Sequence, residues 1–421
     1  MSGIGPILLF DKSALQGLSL DESVWFDAFF YPNITPLFFV ETLADLEKEV
    51  AQGKTPEQVV GRLAEKTPTG GHGNVYHLRI AVNEILGQPV EMRRVPIIEG
   101  GIPVEAGKGK KGLVFKDAPE REALRRWEDG RFLDVERDFA KAWRTTLSGL
   151  DLSTTYQLGK EIITRYRRPR DLAEAKALAS ELLEKPRSKS TRMALETFPV
   201  REEGRRMLVG RWRAAGEPPM AQFAPYAAHV MTVDLLFTIG LGADLISRER
   251  PSNKIDMAYL YYLPFCMVFT SSDRLHERTA PLFCGKDQLF VWGPDLKADL
   301  AKLDAHYSAL PDEVKEKGVM SFAWSPPTEG EFLVSSLWDK LMAPGWRGEE
   351  RREQKPLPAK AEKALIAQIK GMKSASRLTG KAADFESDEA DSIMFERRVP
   401  VQRGKWRLLP PGVEKEASAE G

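Results

Sequence analysis

The sequence predicts an α/β fold: a parallel sheet flanked by helices, split by a mostly helical insertion and followed by a charged, disordered C-terminal tail. Three observations carry this. Residues 7–10 form a short apolar run closed by Asp11. Residues 265–269 form another, closed by Thr270, Ser271, Ser272 and Asp273. Continuous apolar runs of this length are the pattern of strands buried on both faces. Between them lie long stretches with helical spacing, among them 120–144 and 226–246. Open α/β sheets place their chemistry at the C-terminal strand ends, so Asp11 and Asp273 are the first candidate residues.

Taken in order, residues 7–10 give the first strand and 18–30 a helix. Tyr31, Pro32 and Asn33 read as a break. Residues 34–40 read as a second buried strand with Glu41 at its end, and 42–50 as a helix bearing further acids. Helices are expected over 55–64 and 76–86, with a glycine loop over 69–74. Residues 99–112 are rich in Gly and Lys, and 107–112 read as a loop. Pro119 suits a helix start before the charged stretch 120–144. Further helices are expected over 155–166, 171–183 and 226–246.

Asn253 can cap a helix that carries Asp256 in its first turn, where a carboxylate suits the dipole. That helix should stop near Leu263, because Pro264 disfavours helical geometry in the residue before it. Beyond Asp273 the pattern gives a helix over 274–280, a strand over 289–292, helices over 295–310 and 312–318, a strand over 320–324 and a helix over 334–342. One exposed helix is expected within 356–372. Residues 382–421 read as disordered, apart from a contact segment at Lys405, Trp406, Arg407 and Leu408.

The 421 residues give room for a large core or several domains, and 42% of them are apolar. Sixty-one basic residues balance sixty-one acidic ones, so bulk charge points to no partner. A local asymmetry exists: 160–213 holds 15 Lys and Arg against 8 Asp and Glu, densest at Arg165, Arg167, Arg168 and Arg170. Two cysteines, Cys266 and Cys284, exclude a disulfide framework and point to a reducing, cytoplasmic setting. The N-terminal residues lack the basic start and long apolar core of a signal peptide. No apolar run is long enough for a membrane span, and no membrane partner is expected.

The acid-bearing junctions at 7–13, 37–46 and 256–273 together resemble the PIN-domain family of metal-dependent nucleases. Asp11 is followed two residues later by Ser13, Glu41 sits at a strand-to-helix junction, and Asp256 precedes a strand-end Asp273 that follows Ser271. The resemblance implies a Rossmann-like, PIN-type sheet in two parts, 1–60 and 221–345. The helical, basic insertion would span 61–220 and the charged tail 346–421. It implies that Asp11, Glu41, Asp256 and Asp273 are catalytic and bind Mg²⁺ or Mn²⁺, with Ser13 and Ser271 in support and Ser271 orienting the last carboxylate. Such hard ions prefer carboxylate oxygens, and they would activate water and neutralise charge during phosphodiester hydrolysis. Without an ion the same acids would repel one another and raise their own pKa values.

The implied partner is nucleic acid, RNA favoured over DNA, with Arg165, Arg167, Arg168 and Arg170 as phosphate contacts. The insertion or the tail would hold any protein partner. Two other readings stand beside this: a PIN-like module that binds nucleic acid or protein without cleaving, and a toxin- or bacterial-defence-type effector. Taken singly, each acid is also an ordinary capping or first-turn residue, and the arginines an ordinary source of internal ion pairs.

Other motifs carry less. His72 and His77 are five apart, not at the spacing of a helical zinc pair. Residues 107–112 match G-x-G-x-x-G but lack the strand before and helix after. An aspartyl-nucleophile phosphatase would want a second acid where Ser13 stands.

Overall fold

The structure is a computed structural model that describes residues 5–50, 53–70, 73–106, 109–116, 119–148, 151–184, 187–347, 387–395 and 398–411, with Lys360, Lys363, Ala364, Ala367, Lys370 and Gly371. Strand β1 (Ile7–Phe10) leads to helices α1 (Lys12–Gly17) and α2 (Leu20–Phe29), then to β2 (Tyr31–Asn33), α3 (Pro36–Val50), α4 (Pro56–Ala64) and α5 (His77–Leu86). A hairpin, β3 (Gly101–Ala106) and β4 (Lys110–Phe115), precedes eight helices: α6 (Pro119–Glu128), α7 (Asp134–Ser148), α8 (Ser153–Arg165), α9 (Leu172–Glu184), α10 (Arg187–Thr197), α11 (Glu202–Ala214), α12 (Met220–Phe223) and α13 (Pro225–Gly242). Helix α14 (Asn253–Ala258) runs into a 3-10 helix, Tyr259–Phe265, and then β5 (Val268–Ser271). Helix α15 (Arg274–Thr279), β6 (Leu289–Trp292), α16 (Gly293–Ser308), α17 (Asp312–Lys315), α18 (Val319–Phe322) and α19 (Leu333–Leu341) follow. Strands β7 (Ser392–Phe395), β8 (Gln402–Arg403) and β9 (Trp406–Arg407) come last.

The central sheet is four-stranded, ordered β2-β1-β5-β6, and every pair in it is parallel. The chain moves from β1 outward to β2, then returns to the other side of β1 for β5 and β6. The order therefore reverses between β1 and β5, which opens a crevice at their C-terminal ends. All four β1 residues are buried. Alternate side chains of a strand face opposite ways. Ile7 and Leu9 join one core with α5, α8, α9 and α13, while Leu8 and Phe10 join a second with α2, α3, α16 and α19. Helix α13 is apolar all round and lies inside the first core, as such a helix must. It crosses α8 backbone to backbone: a Cβ on Gly159 would stand 2.2 Å from the Thr238 carbonyl oxygen. Among the described residues, no helix is long and apolar enough to cross a membrane.

Several expectations need correcting. Residues 34–40 are not a strand. The strand is 31–33, read from sequence as a break, and the apolar run after it belongs to α3. Pro36 is the first residue of that helix, where its fixed φ fits and no N–H is missed. Leu37, Phe38 and Phe39 are buried in a helix, and a short apolar run does not distinguish the two states. The stretch 99–112 is most of the β3–β4 hairpin; the loop read at 107–112 is cut short by β4, which begins at Lys110, and residues 107 and 108 lie outside the described residues. The charged stretch 120–144 is two helices, α6 and α7, separated by Gly130 at φ +69°. Residues 320–324 are not a strand; α18 covers most of them. The strand expected over 265–269 begins at Val268, because Pro264 is carried within the 3-10 helix that ends at Phe265.

In the tail, residues 392–395 are not disordered: they form β7, which pairs with β4. Residues 402–407 form a small hairpin, and the contact segment is where the sequence put it. Trp406 is buried edge-on to Trp25, with ring centroids 4.7 Å apart, and Trp25 stacks on Tyr307 at 4.3 Å. Both indole N–H groups donate to Asp304 Oδ1, at 3.1 Å from Trp25 and 2.7 Å from Trp406. The helix expected within 356–372 falls largely outside the described residues.

Candidate functional site

The crevice between β1 and β5 collects the predicted acids. Asp11 follows β1 and caps α1, accepting from Ala14 N at 2.9 Å. Its Oδ2 accepts from Ser271 Oγ at 2.6 Å, and Ser13 Oγ lies 2.8 Å from both carboxylate oxygens. Ser13 Oγ also accepts from Ser272 N at 3.0 Å, which ties the β1 end to the β5 end. Ser271 does not orient the Asp273 carboxylate; its Oγ accepts from the Asp273 backbone N at 2.9 Å and gives its proton to Asp11. Asp273 caps α15, accepting from Leu275 N at 2.6 Å, and remains partly exposed. Gly293 leaves the rim narrow: a Cβ there would lie 2.3 Å from Ser272 Oγ.

Glu41 enters from α3. Its Oε2 accepts from Tyr259 OH at 2.7 Å and from Lys12 N at 3.4 Å. Burial lifts its carboxyl to about 8, and the negative charges of Asp11 and Asp256 add to the rise against the Tyr259 hydrogen bond. Asp256 enters from α14, and its carboxylate accepts no hydrogen bond among the described residues. Burial lifts it to about 7; His276 opposes the rise, and Asp273 and Asp11 assist it. Glu41 and Asp256 keep some accessible surface although protein atoms crowd them closely. Both are therefore hemmed in yet reachable. The four acids act on one another across this crevice, drawn from four different elements.

Three neighbours were not anticipated from the sequence. His276 is wholly buried below the rim. Its Nε2 lies 2.6 Å from the Asp256 backbone oxygen and can only donate to it. Its Nδ1 faces Ser271 Oγ at 2.7 Å and Asp11 Oδ2 at 3.3 Å. Burial alone would lower its pKa, but the hydrogen bond and charge of Asp11, helped by Asp256, raise it to about 9. Burial conversely pushes Asp11 up, and His276 more than cancels this, so Asp11 lies below the usual carboxylate value. Asp11 and His276 thus form a buried ion pair. Tyr259 holds Glu41, and Lys12 is a buried lysine whose Nζ bonds Asp45 Oδ2 at 3.1 Å. One signal was visible: His276 stands three residues after Asp273, hence on the same helix face.

The donor chemistry suits a hard divalent cation. Among the described residues, Glu41, Asp256 and Asp273 each keep a carboxylate oxygen with no protein donor, and their mutual repulsion calls for positive charge. The closeness does not suit it as the side chains stand: among the described residues, no three His, Cys, Asp or Glu side chains are gathered tightly enough to hold one ion. Asp11 is already occupied by Ala14, Ser13, Ser271 and His276.

The arginines of the basic stretch lie on other elements, at exposed positions, and each has a contact within the fold. Arg167 makes a two-pronged contact with Glu181, at 2.7 and 3.0 Å. Arg168 reaches the Ala243 carbonyl at 3.0 Å and Asp244 at 3.1 Å, and Arg170 bonds Glu174 at 2.7 Å. Arg165 rests over the Tyr166 ring. His77 is buried among Tyr76, Tyr261 and Tyr262, whereas His72 lies outside the described residues. Both cysteines are unpaired, and Cys266 is buried. Comparison with protein-family models, with curated proteins and with solved structures finds no match for this chain.

Proposed function

We propose that this chain is a PIN-like, metal-dependent nuclease that hydrolyses phosphodiester bonds in a cytoplasmic setting, with RNA favoured over DNA by the family resemblance. One observation carries the reading: four acids from α3, α14 and the ends of β1 and β5 face one crevice at the reversal of strand order, and two of them stand far above the usual carboxylate range. Glu41, Asp256 and Asp273 are the residues that would hold Mg²⁺ or Mn²⁺. When bound, such an ion supplies counter-charge for the reacting phosphate and lowers the pKa of water. Tyr259 OH fixes the Glu41 carboxyl, which keeps a proton at neutral pH until positive charge arrives. The Asp11–His276 pair, with Ser13 and Ser271, holds the two strand ends at a set distance, which makes Asp11 a positioning residue. Arg165, Arg167, Arg168 and Arg170 would meet a phosphate backbone only by giving up their present contacts with Tyr166, Glu181, Asp244 and Glu174.

A second reading, a PIN-like module that binds nucleic acid without cleaving it, draws on the committed oxygens of Asp11 and the looseness of the ligand set. Cleavage of labelled RNA and single-stranded DNA with Mg²⁺ or Mn²⁺ decides between them, with calorimetric metal titration alongside. Asp273→Asn and Glu41→Gln should each lower cleavage by about 100-fold or more, the loss of several kcal/mol of charge stabilisation. Binding without cleavage by the wild type supports the module. Equal cleavage by wild type and variants removes the nuclease reading.

A further inference from the structure

A small cavity of about 160 Å³ opens beside the acid crevice, between α1, the far end of α3 and helix α4. Lys12, Gln16, Glu49, Lys54, Arg62 and Lys66 line it. Lys12 joins it to the acids. Its backbone N faces Glu41 Oε2 at 3.4 Å, and its side chain reaches the cavity wall. The cavity therefore begins within one lysine side chain of the crevice.

The charges around it do not cancel. Lys12 Nζ bonds Asp45 Oδ2 at 3.1 Å and lies 3.8 Å from Glu49, and Lys54 bonds Glu49 at 2.9 Å. Those two cations and two acids balance. Arg62 makes no hydrogen bond or ion pair among the described residues. Lys66 donates to the Gln16 carbonyl at 3.1 Å, a neutral partner. Burial, then the like charge of Lys297, push Lys66 below its ordinary value, and Arg62 adds to the push. Glu22 and Glu65 oppose it without prevailing, and neither lines the cavity. Glu22 is already met by Lys297 at 2.8 Å. Arg62 and Lys66 thus face open space without an ion pair among the described residues, and both can be reached: Arg62 is exposed and Lys66 half-buried.

The volume decides the ligand class. It falls below the roughly 300–1,000 Å³ of small-molecule sites, so it suits a single hydrated phosphate group and not an organic ligand. Guanidinium and ammonium groups meet phosphate oxygens through charge-assisted hydrogen bonds, whatever the base sequence attached to them. A strand lying across the acids would carry its neighbouring phosphates over ground of this kind. We infer that the cavity holds a backbone phosphate of the nucleic-acid strand at the acid crevice, a phosphodiester beside the one that is cut, with Arg62 and Lys66 as its contacts. The inference rests on the nuclease reading and gives that reading a path for the strand. Arg62 and Lys66 bind the strand and take no part in bond cleavage.

Fluorescence anisotropy of the full chain with labelled single-stranded RNA, in EDTA so that nothing is cut, tests it alongside cleavage kinetics in Mn²⁺. Arg62→Gln and Lys66→Gln are each expected to weaken binding by about tenfold, the worth of one charge-assisted contact. Each should also lower the slope of log affinity against log salt by about 0.7. In cleavage, KM should rise and kcat stay unchanged, because the contact is made equally with the bound strand and the transition state. Arg213→Gln, which removes an exposed cation from α11, should alter none of these, with circular dichroism confirming the fold of all three variants. Binding by the wild type that is unchanged in Arg62→Gln and Lys66→Gln overturns the inference and leaves the nuclease reading standing. Equal losses in all three variants overturn it as well, since bulk charge would then account for the binding. A fall in kcat at constant KM removes the binding role. A wild type that neither binds nor cuts RNA removes the nuclease reading itself, and this subsite with it.

Discussion

Four acids meet at the rim of the sheet from elements spread between residue 11 and residue 273, while four arginines crowd between 165 and 170, at the end of α8 and in the loop after it. In the sequence the arginines look like the more concentrated charge. In the fold the order is reversed. The loop arginines each find an acid, a carbonyl or a ring nearby and end up as ordinary surface contacts. The acids stand near enough to raise one another, and His276 forms its ion pair with Asp11. Glu41 and Asp256 are left at about 8 and about 7. Charge density along a chain says little about charge left unbalanced in space. The second quantity marks a site, because it is what a ligand can relieve.

The hardest blow to this contrast is Asp11→Ala. It strips the cap from α1 and leaves His276 buried without its counter-ion, so unfolding in urea should show a loss of about 3–5 kcal/mol. His276, followed by NMR, should then titrate well below about 9. A loss under about 1 kcal/mol would mean that the ion pair does not hold the strand ends.

A smaller effect is expected from pH. Folding raises the Glu41 pKa from 4.5 to about 8, so the folded chain holds this proton more tightly than the unfolded one. The resulting stability is complete below about 4.5 and is lost as pH rises through about 8. Relative to Glu41→Gln, the wild type should therefore weaken over that range by at least about 1.4 kcal/mol, one pKa unit's worth. Mn²⁺ should restore the wild type and leave the variant unmoved. A pH curve that ignores Mn²⁺ would sever the link between crowded acids and a cation.

The smallest change belongs to the loop. Arg167→Ala and Arg170→Ala should each alter stability by no more than about 1 kcal/mol, as exposed ion pairs do. Nucleic-acid affinity and its salt dependence should stay put. A salt slope reduced by about one unit per arginine would return these residues to the phosphate backbone.

The parts of this arrangement legible in the sequence are those set by local pattern. The run Ile7–Phe10, the strand Leu289–Trp292 and the capping acids Asp11 and Asp273 could be read because a buried strand and its polar end need only a few consecutive residues. Glu41 was found although its element was misread, since an acid after an apolar run looks alike at a strand end and inside α3. His276 and Tyr259 were hidden, because their roles exist only once the 3-10 helix meets α3 and α15 meets α14 and β5. The hairpin at 101–115 was masked by its Gly and Lys content, and β7 by the charge around it.

The docking of Trp406 on Trp25 has a consequence for how the chain is made. The second core closes only when Trp406 reaches Trp25, a residue translated far earlier. At typical elongation rates of about 5–20 residues per second, Trp25 waits on the order of 20–80 s for its partner after leaving the ribosome tunnel. Through that interval the side of Trp25 that Trp406 will cover stays open, a transient apolar surface of the kind that invites aggregation while a chain is being made.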